Sequence, residues 1–186
     1  MRITGLLAKI VSINVGVPRR VEWERQTCVT GIFKSAVKGK VRVGMLGLQG
    51  DSQADLTVHG GPRKAVYAYP SEHYQTWKEE LRRSLDWGMF GENLTTQGLL
   101  ETSVRVDDRL SAGSAEFIVT SPRFPCYKLG IKFGTMEMVK RFQESGKSGF
   151  YLAVSKEGEI EAGDAIHLID SDTHKPSIAD VFSSES

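Results

Sequence analysis

The stretch Ala115-Glu116-Phe117-Ile118-Val119-Thr120-Ser121-Pro122-Arg123-Phe124-Pro125-Cys126-Tyr127-Lys128-Leu129 combines a strand, a stiff loop and a thiol. Ala115 to Thr120 is rich in β-branched and aromatic side chains and reads as a strand. Pro122 and Pro125 each fix φ and discourage helix at the residue before, so the chain stays extended up to Cys126. The thiol is therefore expected at the end of a strand, in a rigid loop. Arg123 and Lys128 lie close by, and neighbouring cations favour the thiolate form. Such a cysteine suits a nucleophile or a metal ligand. From this loop alone, a buried and inert cysteine fits equally well.

Outward from this loop the pattern is mostly β. Leu6 to Ile13, Thr27 to Phe33, Lys64 to Tyr69, Ser103 to Val106, Phe150 to Val154 and Ala165 to Ile169 read as short strands. Ala36 to Val43 reads as a hairpin turning at Lys38-Gly39. The 19 glycines between these runs suit a barrel or sandwich rather than a helical bundle. Two helices interrupt the pattern. Ser71 is expected to cap the first, whose apolar stripe is Tyr74, Trp77, Leu81 and Leu85. The second spans Thr135 to Ser145, with Met136, Val139 and Phe142 on one face and Gly146 ending it. Asp170 to Ser186 is polar and serine-rich, and is expected to fray or stay disordered.

Bulk properties narrow the class. A chain of 186 residues with 40% hydrophobic content can bury one good core. Its 24 basic and 23 acidic residues nearly cancel, which gives no support to a nucleic-acid or membrane-surface protein. No apolar run approaches the roughly 20 residues of a membrane span, and the start lacks the apolar core of a signal peptide. Two cysteines, Cys28 and Cys126, make no disulfide framework, so the expected compartment is the reducing cytoplasm.

Two further constellations bear on Cys126. Gly50 to Val66 gathers Asp51, Asp55, His59, the pair Gly60-Gly61, and the cations Arg63 and Lys64. Consecutive glycines let backbone N–H groups approach a ligand, and adjacent cations suit phosphate or another anion. For the Gly-Gly-Pro turn taken alone, a solvated turn whose charges contact nothing is the better reading. Phe90-Gly91-Glu92-Asn93-Leu94 adds a carboxylate and an amide that both donates and accepts.

In order, G-D-x-Q-A-D-x-x-V-H-G-G-x-x-K-A-V, F-G-E-N-L and P-R-x-P-C-x-K-L resemble the MOSC domain, named for the C-terminal part of molybdenum-cofactor sulfurases. Gly149 to Val154 and Gly158 to Asp164 resemble its last hairpin. The likeness runs from about Lys9 to Leu168 and is strongest to the stand-alone bacterial type called YiiM, associated with reduction of N-hydroxylated bases such as 6-hydroxylaminopurine. It implies a mainly β, MOSC-type barrel with two or three peripheral helices, over residues 1–170, followed by a polar tail at 171–186.

The resemblance also implies a site. Cys126 matches the cysteine that ligates molybdenum beside the pterin dithiolene, a soft ligand for a soft metal. Arg63, Lys64 and Arg123 match cations that could neutralise the pterin phosphate, next to Gly60 and Gly61. Asp55, His59 and Asn93 would line the pterin or the open metal position, with His59 as proton donor. Cys126, His59 and Asp55 are thus the catalytic candidates. The wider family is also associated with pyridoxal phosphate, an association that attaches to no residue here. A small-molecule substrate and a separate reductase as electron donor are the expected partners, with no nucleic acid or membrane and a homodimer as one option.

Longer relatives carry a helical segment after the barrel, of which only Ser171 to Ser186 could correspond here. The expected Gly-Asp before the middle strand is Asp107-Asp108. Two other functions fit some of these residues. One is a carrier or sulfur-transfer module that holds the cofactor without turnover. The other is a cysteine hydrolase using Cys126, His59 and Asp55, which leaves the basic loop and Glu92-Asn93 without a role.

Overall fold

Strand β1 (Ala8–Val15) opens the computed structural model, which describes residues 8–52 and 60–185. A hairpin of β2 (Arg19–Trp23) and β3 (Gln26–Thr30) follows, then β4 (Ser35–Val37), β5 (Val41–Gly44) and β6 (Gly47–Leu48). Next come β7 (Val66–Pro70), α1 (Glu72–Leu81), β8 (Leu94–Gln97), β9 (Arg109–Ala112) and β10 (Ala115–Pro122). Helices α2 (Tyr127–Phe133) and α3 (Glu137–Ser145) precede β11 (Phe150–Lys156), β12 (Gly158–Ile160), β13 (Ala165–Asp170) and α4 (Ile178–Glu185).

Strands β13, β9, β10, β11, β7, β8 and β1 pair in that order, and β1 pairs back onto β13 to close a seven-stranded barrel. Every neighbouring pair is antiparallel except β7 with β8. Closure removes the free edges that an open sheet would expose. Ile10, Val66, Leu110, Phe117, Val119 and Phe150 fill the interior.

A second, aromatic core lies between the barrel and the helices, built on Tyr69, Tyr74, Trp77, Phe90, Leu129 and Phe142. Strand β7 joins the two cores: Val66 and Ala68 belong to the barrel core, Tyr67 and Tyr69 to the aromatic one. Both faces of β7 are covered, so its sequence is apolar throughout instead of alternating. The Trp77 indole N–H donates to the Tyr69 hydroxyl at 2.8 Å, satisfying a polar group that burial would otherwise penalise. Among the described residues no helix is long and apolar enough to cross a membrane.

The architecture is the mainly β barrel expected from the sequence, with four α-helices among the described residues. Several local expectations change. Lys38-Gly39 does turn, with Gly39 at φ 78°, but β4 and β5 do not pair: β4 extends the sheet at β1 and β5 joins β12 and β6. Val41 and Val43 are drawn to the barrel core with Ile160, and that burial outweighs the local turn signal. Likewise β11 and β12 do not form the expected hairpin, because β11 pairs with β10 and β7. Ser71 occupies the first cap position without a side-chain cap bond. In the second helix Met138, not Met136, is buried with Phe142, because α3 begins only at Glu137.

The tail is the largest correction. Residues 178–185 form α4, and Ser177 and Asp180 make a reciprocal cap: the Asp180 carboxylate accepts from the Ser177 amide (3.0 Å), and the Ser177 hydroxyl accepts from the Asp180 amide (3.1 Å). Ile178 and Phe182 are buried, and the Phe182 ring stacks on Phe124 at 5.0 Å. Two apolar side chains on one helical face thus suffice to dock a polar segment, and they brace the loop that carries Cys126.

Candidate functional site

Pro122 ends β10, and the next residues run extended to Cys126, whose φ of −129° and ψ of 173° place it immediately before α2. The expected rigid loop is therefore present, held by Phe124 on Phe182 on one side and by Arg123 on the other. Arg123 is 6% exposed. One of its guanidinium nitrogens donates to the Phe90 carbonyl at 2.8 Å and to the Tyr67 hydroxyl at 3.4 Å, and the cation lies 4.8 Å from the Tyr67 ring centroid. It makes no ion pair among the described residues. Guanidinium stays charged even here, so this is a buried cation with no carboxylate partner among the described residues.

Cys126 is half-buried and shares a cleft with Arg123, Lys34, Lys64, Lys128 and Asn93. Gly60 and Gly91 supply bare backbone, and Tyr67 and Tyr151 supply phenols from β7 and β11. No Asp or Glu lines this cleft among the described residues. Lys64 ends the 3-10 turn Pro62–Lys64, and its ammonium lies 5.5 Å from the Tyr151 ring centroid. Burial pushes the Tyr67 and Tyr151 phenols up, so both remain neutral, and the Tyr67 O–H donates to the Ser148 carbonyl at 2.8 Å.

Of the three cations singled out in the sequence, Lys64 and Arg123 converge on Cys126; Arg63 is exposed and lies outside the cleft wall. Gly60 lines the cleft and Gly61 does not. Asp55 and His59 lie outside the described residues.

Glu92 and Asn93 divide in role. Glu92 is fully buried, accepting from the Tyr74 and Thr95 hydroxyls and from the Gly88 and Phe90 amides. Burial raises its pKa while the Tyr74 and Thr95 hydroxyls and the Gly88 and Glu92 amides pull the other way, and the carboxylate's work is to close the Gly88–Phe90 turn. Asn93 reaches the cleft, but its amide is committed: the oxygen accepts from the Tyr67 amide, and the nitrogen donates to the Asn14 carbonyl and the Asp51 carboxylate. Its direct action is on Asp51.

Asp51 in turn receives the Gly16 amide at 2.9 Å and pairs with Lys34 at 2.5 Å, with both side chains under a tenth exposed. Lys34 is the site residue that the sequence reading missed. Its signal is a cation directly after Gly31-Ile32-Phe33, in a run that otherwise belongs inside. Burial lowers its pKa, and Asp51 opposes that shift.

One half-buried thiol and four cations, the charged groups that line the cleft among the described residues, cannot alone chelate a metal ion. Among the described residues there is also no cluster of three or more His, Cys, Asp or Glu that could hold one. The set does fit an anion that brings its own metal: the cations answer a phosphate, and the single soft thiolate answers a soft metal with further ligands of its own.

Comparison with known proteins supports the family. The MOSC domain profile matches residues 55–167. YflK of Bacillus subtilis (strain 168) is 43% identical over 160 residues, covering 86% of this chain and 72% of that protein. A protein of Gibberella moniliformis named a reductase is 33% identical over 156 residues, 82% of this chain and only 28% of that protein. The crystal structure of YiiM from Geobacillus stearothermophilus superposes with a TM-score of 0.80 at 38% identity, covering 96% of this chain and 83% of that one. With its barrel closed and its motifs in order, the chain belongs to the MOSC domain family.

Proposed function

We propose that this protein binds the molybdenum cofactor and reduces N-hydroxylated compounds of the 6-hydroxylaminopurine type. The observation that carries the proposal is the thiol of Cys126 in a cleft with four cations and no carboxylate among the described residues. The bound cofactor would supply the two-electron chemistry at molybdenum. The balance is simple: two electrons and two protons break the N–O bond, giving an amine and water. A separate donor would supply the electrons.

The chain's own contribution would be binding, orientation and proton supply. Cys126 would ligate the metal. Arg123 and Lys64 would hold the phosphate, with Lys34 and Lys128 adding positive charge. Tyr67 and Tyr151 would line the site as neutral phenols, the Tyr67 O–H being committed to the Ser148 carbonyl at 2.8 Å, and Asp51 with Asn93 keeps Lys34 directed. His59 and Asp55 remain the proposed proton donor and its neighbour. The name of the fungal relative supports a reductase, over the small part of its length that matches.

The second reading is a carrier that holds or sulfurates the cofactor without turnover, which the same thiol and cations would serve. Loaded protein with a strong artificial reductant separates the two. Conversion of 6-hydroxylaminopurine to adenine that requires molybdenum and Cys126 supports the reductase. Loaded protein that reduces no N-hydroxylated compound, yet passes its cofactor to an acceptor apo-enzyme, is a carrier.

The cations give a sharper test. Lys64→Ala removes a charge-assisted contact and should lower cofactor retention about tenfold. Arg63→Ala should leave retention within about twofold, since exposed charges far from a ligand are screened. Apo-protein melting should barely move in either variant. Equal losses of cofactor would return Arg63 to the site.

A further inference from the structure

A groove that shares Lys128 with the cleft gathers three exposed apolar side chains. Val29 (47% exposed), Tyr127 (49%) and Met136 (40%) all line one groove of about 560 Å3, with Trp23 and Ile131. The hairpin β2–β3 forms one wall and the face of α2 bearing Tyr127, Lys128 and Ile131 forms the other. Its volume falls in the range of small-molecule sites, roughly 300–1,000 Å3. Two observations join it to the thiol: Lys128 lines both groove and cleft, and Tyr127 directly follows Cys126. The Tyr127 hydroxyl lies 3.5 Å from the Cys28 sulfur on β3, which links the two walls at this point.

The chemistry of the walls selects a ligand class. An indole, a phenol, a thioether and aliphatic groups offer flat, polarisable contact area. Glu24, Gln26 and Thr27 add hydrogen-bonding groups that can pair with ring nitrogens and N–H groups. Glu24 and Lys128 balance in charge, so the groove lacks the cationic excess of the cleft. We propose that it holds the planar heteroaromatic ring of the substrate, with the N-hydroxyl group reaching past Lys128 toward Cys126. Tyr127 is then the residue that favours ring-bearing over ringless compounds. The proposal rests on the reductase reading above.

The test compares 6-hydroxylaminopurine with hydroxylamine, which has no ring, on molybdenum-loaded protein. Tyr127→Ala should lower the ratio of kcat/KM for the purine to that for hydroxylamine about tenfold, through KM for the purine, as loss of a base-stacking ring does. Tyr127→Phe, which keeps the ring, should restore the ratio. Independently, 6-hydroxylaminopurine added to cofactor-free protein should shift the backbone amide resonances of residues 23–29 and 127–136. If both substrates are reduced and the ratio is unchanged in Tyr127→Ala, the groove proposal is wrong and the reductase reading stands. If neither substrate is reduced but the amides shift, the groove binds rings and the reductase reading fails. Resonance shifts confined to other residues overturn the groove assignment.

Discussion

Replacing Cys126 by Ser should leave the protein folded and strip it of molybdenum. The side chain is half-buried at the start of α2, and Ser is close to isosteric, so the fold has little to lose. A hydroxyl is a poor ligand for a soft metal, and it does not ionise near neutral pH. Loss of groups that merely orient a ligand lowers metal affinity about 10–100-fold, so loss of the ligand itself should lower it at least tenfold. Protein made in a host that synthesises the cofactor would be compared by elemental analysis and by the fluorescence of the oxidised pterin. Two outcomes differ in meaning. Pterin retained without metal would show the cations holding the phosphate alone; equal molybdenum in wild type and variant would remove Cys126 from the ligand set.

The second large effect is expected at Asp51. Asn there keeps an acceptor for the Gly16 amide but leaves the Lys34 ammonium buried without its counter-charge. Breaking a buried pair on one side costs about 3–5 kcal/mol, which for a chain of this size lowers Tm by on the order of 10 °C. Adding Lys34→Met to Asp51→Asn should recover most of that loss, because the stranded charge is gone; urea unfolding of the four proteins in the cycle measures the coupling. The pH dependence has a defined sign. Burial already holds the Lys34 pKa below its usual value, and losing Asp51 removes the group that opposes this. The unfolded chain then binds more protons than the folded one between the two pKa values, so stability rises with pH, and Asp51→Asn should be weakest under acidic conditions. A single variant as stable as wild type would mean that Lys34 is not held by Asp51. Cofactor retention should fall in both Asp51→Asn and the double variant, since each removes a directed Lys34 from the cleft.

Lys34 also illustrates how the sequence and the structure divide the problem. In the sequence it follows an apolar run, 17 residues before Asp51 and far from Cys126, and only barrel closure brings the three into one region. The Glu24-Arg25 turn was invisible for another reason. Both residues take positive φ, 48° and 66°, as a two-residue hairpin requires, but neither is the Gly or Asn that usually announces it. Asp107 shows the reverse. It stands where the family pattern has Gly and adopts φ 68°, so the expected change in the turn is absorbed by a residue type that tolerates that region.

What the sequence determined by itself was set by local chemistry: strands from β-branched runs, a stiff loop from two prolines, and motif order that identifies the family. The closed barrel and the Cys126 loop follow from these. Tertiary structure alone decided which charged residues face the cleft. Lys64 and Arg123 lie 59 positions apart in the chain and meet there, while Arg63, next to Lys64, faces solvent. Adjacent residues diverge because a turn directs successive side chains to different sides. Distant ones converge because β7, β10 and β11 pair side by side. The fate of the tail was likewise a tertiary matter. Ile178 and Phe182 are too few to stabilise a helix alone, and α4 forms because Phe124 and the barrel offer them a surface to bury against.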